Sequence, residues 1–177
     1  FKAYKNWQYG LRERTSDVLF TWMNNNKERL GFQINTQKKS SLEFASPEIQ
    51  LLNRTLFGKD NVIVLFFNIR LNSYLEIIMQ INSHQNKELR KSVYNVFQHD
   101  NSELFRSTDT EKISETYTKI YTHKILTSED ALKMSSDMEV LNSIENKLEE
   151  FFAENGVYKQ IQRFIRDHME EFLALKD

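Results

Sequence analysis

The sequence contains no cysteine. That excludes disulfides, thiolate metal centres and cysteine nucleophiles from this chain. It fits a reducing cytoplasm, the favoured compartment, although 177 residues can bury an adequate core without staples anywhere. Turn formers are scarce as well, with 4 Gly and 1 Pro. A β-sandwich or barrel of this length needs more punctuation than that, whereas long helices need little. Glycines at 10, 31, 58 and 156 also leave no dinucleotide-binding loop and no P-loop. No run of 18 uncharged apolar residues occurs. The strongest candidate, Val62 to Ile81, is interrupted by Asn68, Arg70, Asn72, Ser73 and Glu76. It reads as a buried helix of a soluble domain.

Net charge is also nearly absent, at -1, so the whole molecule has no strong pull on nucleic acid. The distribution is less even. Residues 1–39 carry eight Lys/Arg and three Asp/Glu, whereas residues 128–177 carry six and twelve. The two ends can pair within the fold, pair between chains in an antiparallel dimer, or stay solvated. Eight of the basic residues (Lys2, Lys5, Arg12, Arg14, Lys27, Arg29, Lys38 and Lys39) accompany Tyr4, Trp7 and Tyr9. That mixture can hold phosphates and stack bases. Glu13, Asp17 and Glu28 dilute it, and no zinc-finger or basic-zipper pattern supports it, so nucleic acid is the lesser alternative.

What is abundant is apolar material. Hydrophobic residues make up 40% of the chain, including 13 Phe, while 28% charged residues keep its exterior wet. This composition supports one globular domain over 1–177. The chain opens on Phe1, so an upstream segment is expected. Membrane attachment would come only through sequence before Phe1, where Phe1, Lys2, Tyr4, Lys5, Trp7, Tyr9 and Arg12 could mark an interfacial exit.

Apolar spacing of three and four residues recurs along the chain and predicts an all-α, irregular bundle of about six helices. A first helix reaches about residue 30 through Tyr4, Trp7, Leu11, Val18 and Trp22, weakened by Asn24, Asn25 and Asn26, with Gly31 as its C-cap. Residues 33–46 have no assignable state. Ser46, Pro47 and Glu48 then start a helix that Gly58 ends. Val62 to Phe67 has strand character when read alone. The recurrence of Phe67, Leu71, Leu75 and Ile78 favours one helix over about 60–83 instead. Further helices are expected over about 85–99 and from Thr110 through Ile125, with a loop or single turn around Leu104 and Phe105 between them. Ser128 caps the next segment. Two stripes, Met138 to Phe152 and Val157 to Leu173, predict neighbouring helices separated by Glu154, Asn155 and Gly156.

Chemistry is hard to assemble from these residues. His84, His99, His123 and His168 have no second His at metal-ligand spacing. His168 with Glu171 is an i, i+3 pair, and Glu145, Glu149 and Glu154 are its imaginable partners, but those three fall on a polar helix side. Asn53-Arg54-Thr55 is a lone glycosylation-type triplet. No catalytic, cofactor-binding or metal residue is assigned, and whether the chain is an enzyme stays open. The expectation is a non-enzymatic helical scaffold or protein-interaction domain, self-associating through a helix face. A helical regulatory domain that senses a small molecule in an aromatic-lined pocket is the alternative.

Overall fold

The computed structural model describes residues 12–58, 63–71, 75–99, 103–105 and 113–176. Of these, 55% are helical and 24% lie in strands, so the all-α expectation is overturned. Helix α1 (Arg12–Leu30) leads into strands β1 (Gln33–Lys38) and β2 (Ser41–Ala45). Helix α2 (Pro47–Leu56) precedes strands β3 (Leu65–Leu71) and β4 (Leu75–Asn82). Helix α3 (Lys87–Gln98), a single 3-10 turn (Glu103–Phe105) and strand β5 (Tyr117–Leu126) follow. The chain ends in α4 (Ser128–Leu132), α5 (Asp137–Phe152), α6 (Val157–Asp167) and α7 (Met169–Ala174). The strands form one antiparallel sheet in the order β1-β2-β3-β4-β5.

Where a helix is expected over 60–83, β3 and β4 pair at the centre of this sheet, and residues 60–62 and 72–74 lie outside the described residues. Their register pairs Phe67 with Met79, Ile69 with Ile77 and Leu71 with Leu75. Apolar residues at 63, 67, 71 and 75 are four apart, and four is both one helical turn and two strand periods. The spacing therefore fits either element, and the β-branched content decides for the strand. Ile78 breaks the series because it belongs to the other face of the sheet. The helix expected from Thr110 through Ile125 is β5, with Thr110 itself outside the described residues. Shifts of register against β4, between Leu75 and Glu76 and between Met79 and Gln80, spoil its alternation and hide the strand.

Local signals fared better. Ser46 caps α2 by accepting from Ile49 N, Pro47 sits in its first turn, and Gly58 beyond it has φ +117°. Gly31 ends α1 with φ +71°, and the Gly31 and Phe32 amides both donate to Lys27 O. Asn24 and Asn26 do not break α1, since their side chains bond the Phe20 and Trp22 carbonyls one turn back. The cap before α4 is Thr127 rather than Ser128, and Asp130 returns its bond to the Thr127 amide. Asn53, in the glycosylation-type triplet, is 6% exposed and holds the start of β3.

Among the described residues, the helices back one face of the sheet. Leu19 and Met23 of α1, Ile49 and Leu52 of α2, and Phe97 of α3 join a buried cluster with Ile144, Phe152, Ile161 and Phe172 of the last helices. The sheet contributes Leu42, Phe44, Leu65, Phe67, Ile69, Leu75, Ile77, Met79 and Ile81 to it. Phe66 and Ile78 are just as buried, at 1% and 0% exposed, yet stand outside this cluster. They face the opposite side.

The uneven charge finds partners inside the chain. Arg14 of α1 pairs with Asp137 of α5, and Arg29 pairs with Glu149 at 3.0 Å. Of the three outcomes open to the split charge, pairing within the fold is thus realised at two points. Both pairs are about half exposed, so each adds little stability.

Candidate functional site

The outer face of the sheet is where strand alternation places the polar residues of β3 and β4. On β3, Asn68 and Arg70 alternate with the core residues Phe67, Ile69 and Leu71. On β4, Glu76 lies directly across from Arg70, and Ile78 lies across from Asn68. The flanking strands extend the rows: Ser41 pairs with Arg70 and Glu43 with Asn68, while Lys124 pairs with Glu76 and Thr122 with Ile78. The element-to-element packing of the described helices lies with the core face, where their buried residues join the cluster.

Arg70 and Glu76 form the centre. Arg70 Nη2 donates to Glu76 Oε1 at 2.8 Å, with the Glu76 side chain only 2% exposed and that of Arg70 24% exposed. Burial opposes the guanidinium charge, but bonds to Glu76 and to the Tyr117 hydroxyl outweigh it and hold Arg70 more basic than usual. Beside this pair, three amides run in series. Asn68 Nδ2 donates to Gln80 Oε1 at 3.5 Å, and Gln80 Nε2 donates to Asn82 Oδ1 at 2.8 Å. The row is incomplete. Asn68 Oδ1, Arg70 Nε and Glu76 Oε2 are buried with no partner.

Buried polar atoms are normally satisfied, and an unpaired one costs about 1–3 kcal/mol. Three such atoms on one face are therefore a chemical feature rather than scatter. The arrangement can accept hydrogen bonds at two points and donate at one. None of these residues was singled out by sequence as a site. Asn68, Arg70 and Glu76 served only to break an apolar run, because their common face exists only once the segment is pleated. Their even spacing, 68 to 70 and 76 to 80, was the available signal.

The histidines considered above lie elsewhere. His168 ends α6, its ring stacked on Phe164 at 4.1 Å and its Nδ1 within 2.9 Å of Phe164 O. Glu145, Glu149 and Glu154 are exposed, and Glu149 pairs with Arg29. Among the described residues no group of three His, Asp or Glu is placed to hold a metal. No described helix is long and apolar enough to cross a membrane. Two open surface grooves of about 510 and 400 Å³ are lined by mixed groups, including Arg12, Asp17 and Lys39 in the first and Asn35, Arg54 and Ile63 in the second.

His123 on β5 packs against Phe151 at 5.4 Å between ring centroids, with the Tyr121 hydroxyl 3.4 Å from its Nδ1. Burial, aided by the nearby Lys147 charge and opposed by Glu150, holds its pKa below the ordinary 6.5. The unfolded chain then binds this proton more readily, so the contribution to stability is complete above the unfolded value. It is lost as pH falls through about 6.5 toward the folded value. Urea midpoints of the protein should therefore drop between about pH 7.5 and 5.5. His123→Gln should flatten that drop, and an unchanged slope in the variant would refute the assignment.

The fold is a helix-backed antiparallel sheet whose opposite face carries the polar row of Asn68, Arg70 and Glu76 beside the buried side chains of Phe66 and Ile78. No protein-family model, no curated protein and no solved structure matches the chain.

Proposed function

We propose that this chain is a non-enzymatic protein-interaction domain that meets its partner with the outer face of the sheet. The observation that carries this reading is the trio of buried, unpartnered atoms on Asn68, Arg70 and Glu76. A structure keeps such atoms where something else completes them. Tyr117, Thr122 and Lys124 of β5, exposed beside these atoms, give a partner its contact on this side of the sheet. A catalytic reading has less behind it, since the described polar contact of His123 is to Tyr121 and not to a carboxylate.

A photo-crosslinking amino acid at Thr122, exposed beside the row, tests this in the source cells. A discrete adduct is expected from Thr122 and not from exposed Glu145 on the helix layer. Adducts of twice the chain mass would identify a second copy as the partner, and any other mass a different protein. Capture from Glu145 alone would sink the proposal.

Self-association through the helix layer is a second reading. It is favoured by Leu132 and Met138, which are 45% and 64% exposed near the α4–α5 corner and border solvent rather than core. Light scattering that stays at one chain's mass up to high micromolar concentration would remove it.

A further inference from the structure

Strand β5 (Tyr117–Leu126) is an edge of the sheet, and among the described residues its ladder is with β4 alone. Antiparallel pairing turns the N–H and C=O of alternate residues toward a neighbour and the others away from it. Ser83 N donates to Thr116 O at 2.7 Å, and the same register sets Asn82 across from Tyr117 and Ile81 across from Thr118. Thr116 and Thr118 therefore aim at β4, while Tyr117 and Lys119 aim outward. The register shifts between Met79 and Gln80. Beyond the shift, Tyr121 faces Met79 and His123 faces Ile77, which alternate with Ile81 on the same side of β4. Thr122 between them thus aims outward. Lys147 Nζ takes the Ile125 carbonyl at 2.6 Å and closes the edge there. The main-chain groups of Tyr117, Lys119 and Thr122 remain, on a stretch where Tyr117 and Thr122 are exposed.

A row of outward main-chain groups at a sheet edge is a template for another strand. Charge decides which strand suits this one. β5 carries Lys119, His123 and Lys124 and no Asp or Glu. Lys119 makes no ion pair among the described residues. Opposite charges on neighbouring strands stabilise the pairing, and like charges weaken it. Pairing β5 with the β5 of a second copy would line up the lysines of both chains along one joint. A basic segment meets the same repulsion, whereas an acidic one gains the ladder and the charge together.

We infer that the edge of β5 from Tyr117 to Thr122 takes an added β-strand from an acidic segment of a protein partner. This rests on the interaction reading of the same side of the sheet. Main-chain bonds supply the affinity, and Asp or Glu side chains set against Lys119 supply the choice of partner.

The isotopically labelled full chain is titrated with a short peptide alternating valine and glutamate. Two controls are the same peptide with lysine for glutamate and the glutamate peptide methylated at its amide nitrogens. Saturable NMR shifts and slowed hydrogen exchange of the Tyr117, Lys119 and Thr122 amides are expected with the first peptide only. The Tyr121 and His123 amides, which aim at β4, should keep their rates. Thr122→Pro removes one outward N–H and no bond to β4, a change that edge strands tolerate, and should weaken binding by about tenfold. Lys119→Glu should reverse the preference in favour of the lysine peptide, and it serves if the proline variant does not fold. Equal responses to all three peptides, or none at millimolar concentration, overturn the inference. Protection of the same amides that grows with protein concentration alone assigns the edge to a second copy and overturns it too. Either result with capture at Thr122 intact removes the acidic strand only, whereas loss of capture removes the interaction reading as well.

Discussion

Phe152→Ala should lower stability by about 3–5 kcal/mol, the usual cost of removing a buried ring and leaving a cavity. Phe152 is 2% exposed, near the end of α5. Its ring lies 5.8 Å from Trp22, 5.2 Å from Phe32, 5.8 Å from Phe44 and 5.0 Å from both Phe151 and Tyr158, centroid to centroid. Those partners come from α1, from the residue before β1, from β2, from α5 itself and from α6. One side chain thus joins the first helix, the sheet edge and the last helices, and none of these can collapse inward without pulling on another. With a urea dependence of about 2 kcal/mol/M, the midpoint should fall by about 1.5–2.5 M. Phe152→Leu should recover part of the loss. Met138→Ala, at a site 64% exposed on the same helix, should stay within about 0.5 kcal/mol of the parent. Equal losses for Phe152→Ala and Met138→Ala would show that this ring does not bridge the layers.

The parts of this fold that could be read from the sequence are those fixed by residues close in the chain. Ser46 and Pro47 act within one turn, and Gly31 and Gly58 take positive φ where an L side chain is strained. The last two stripes turn most of their apolar residues to the core because each has one polar side, and Ile144, Leu148, Phe151, Ile161, Ile165 and Phe172 are all buried. Met138 and Leu173 at their ends are exposed, and the second stripe breaks at His168 into α6 and α7. Sheet formation instead depends on partners far away in sequence, and here both faces of the central strands are buried. Phe66 and Ile78 on the outer face remove the clean alternation that marks a strand with one wet side. Spacing by four then imitates a helix. The polar row was illegible for the same reason: Asn68, Arg70 and Glu76 share a face at strand period and scatter around a helix at 3.6 residues per turn.

The opening of β3 shows how a polar side chain can hold a sheet where the backbone has no strand to bond. Asn53, on α2, is 6% exposed. Its Oδ1 accepts from Val64 N at 3.0 Å and Leu65 N at 2.9 Å, and its Nδ2 donates to Leu65 O at 2.8 Å. Val64 and Leu65 are fully buried, so no exposed route offers these groups an easy replacement. Asn53→Ala should therefore cost about 3–5 kcal/mol, the sum of up to three unmade buried bonds less whatever water recovers. Asn53→Asp separates the bonds from the packing. Ionised, the carboxylate can still accept from both amides but faces the Leu65 carbonyl and sits in an apolar site. Protonated, its O–H can donate to Leu65 O, and all three bonds return. Its folded pKa should thus rise above the ordinary carboxylate value, so that its stabilising contribution is present at low pH and is lost as pH rises through the folded value. Measured against Asn53→Ala at each pH, Asn53→Asp should gain relative stability as the buffer goes from about pH 7 to 4.5. A constant gap between the two variants would mean that position 53 acts through its volume and not through these three hydrogen bonds.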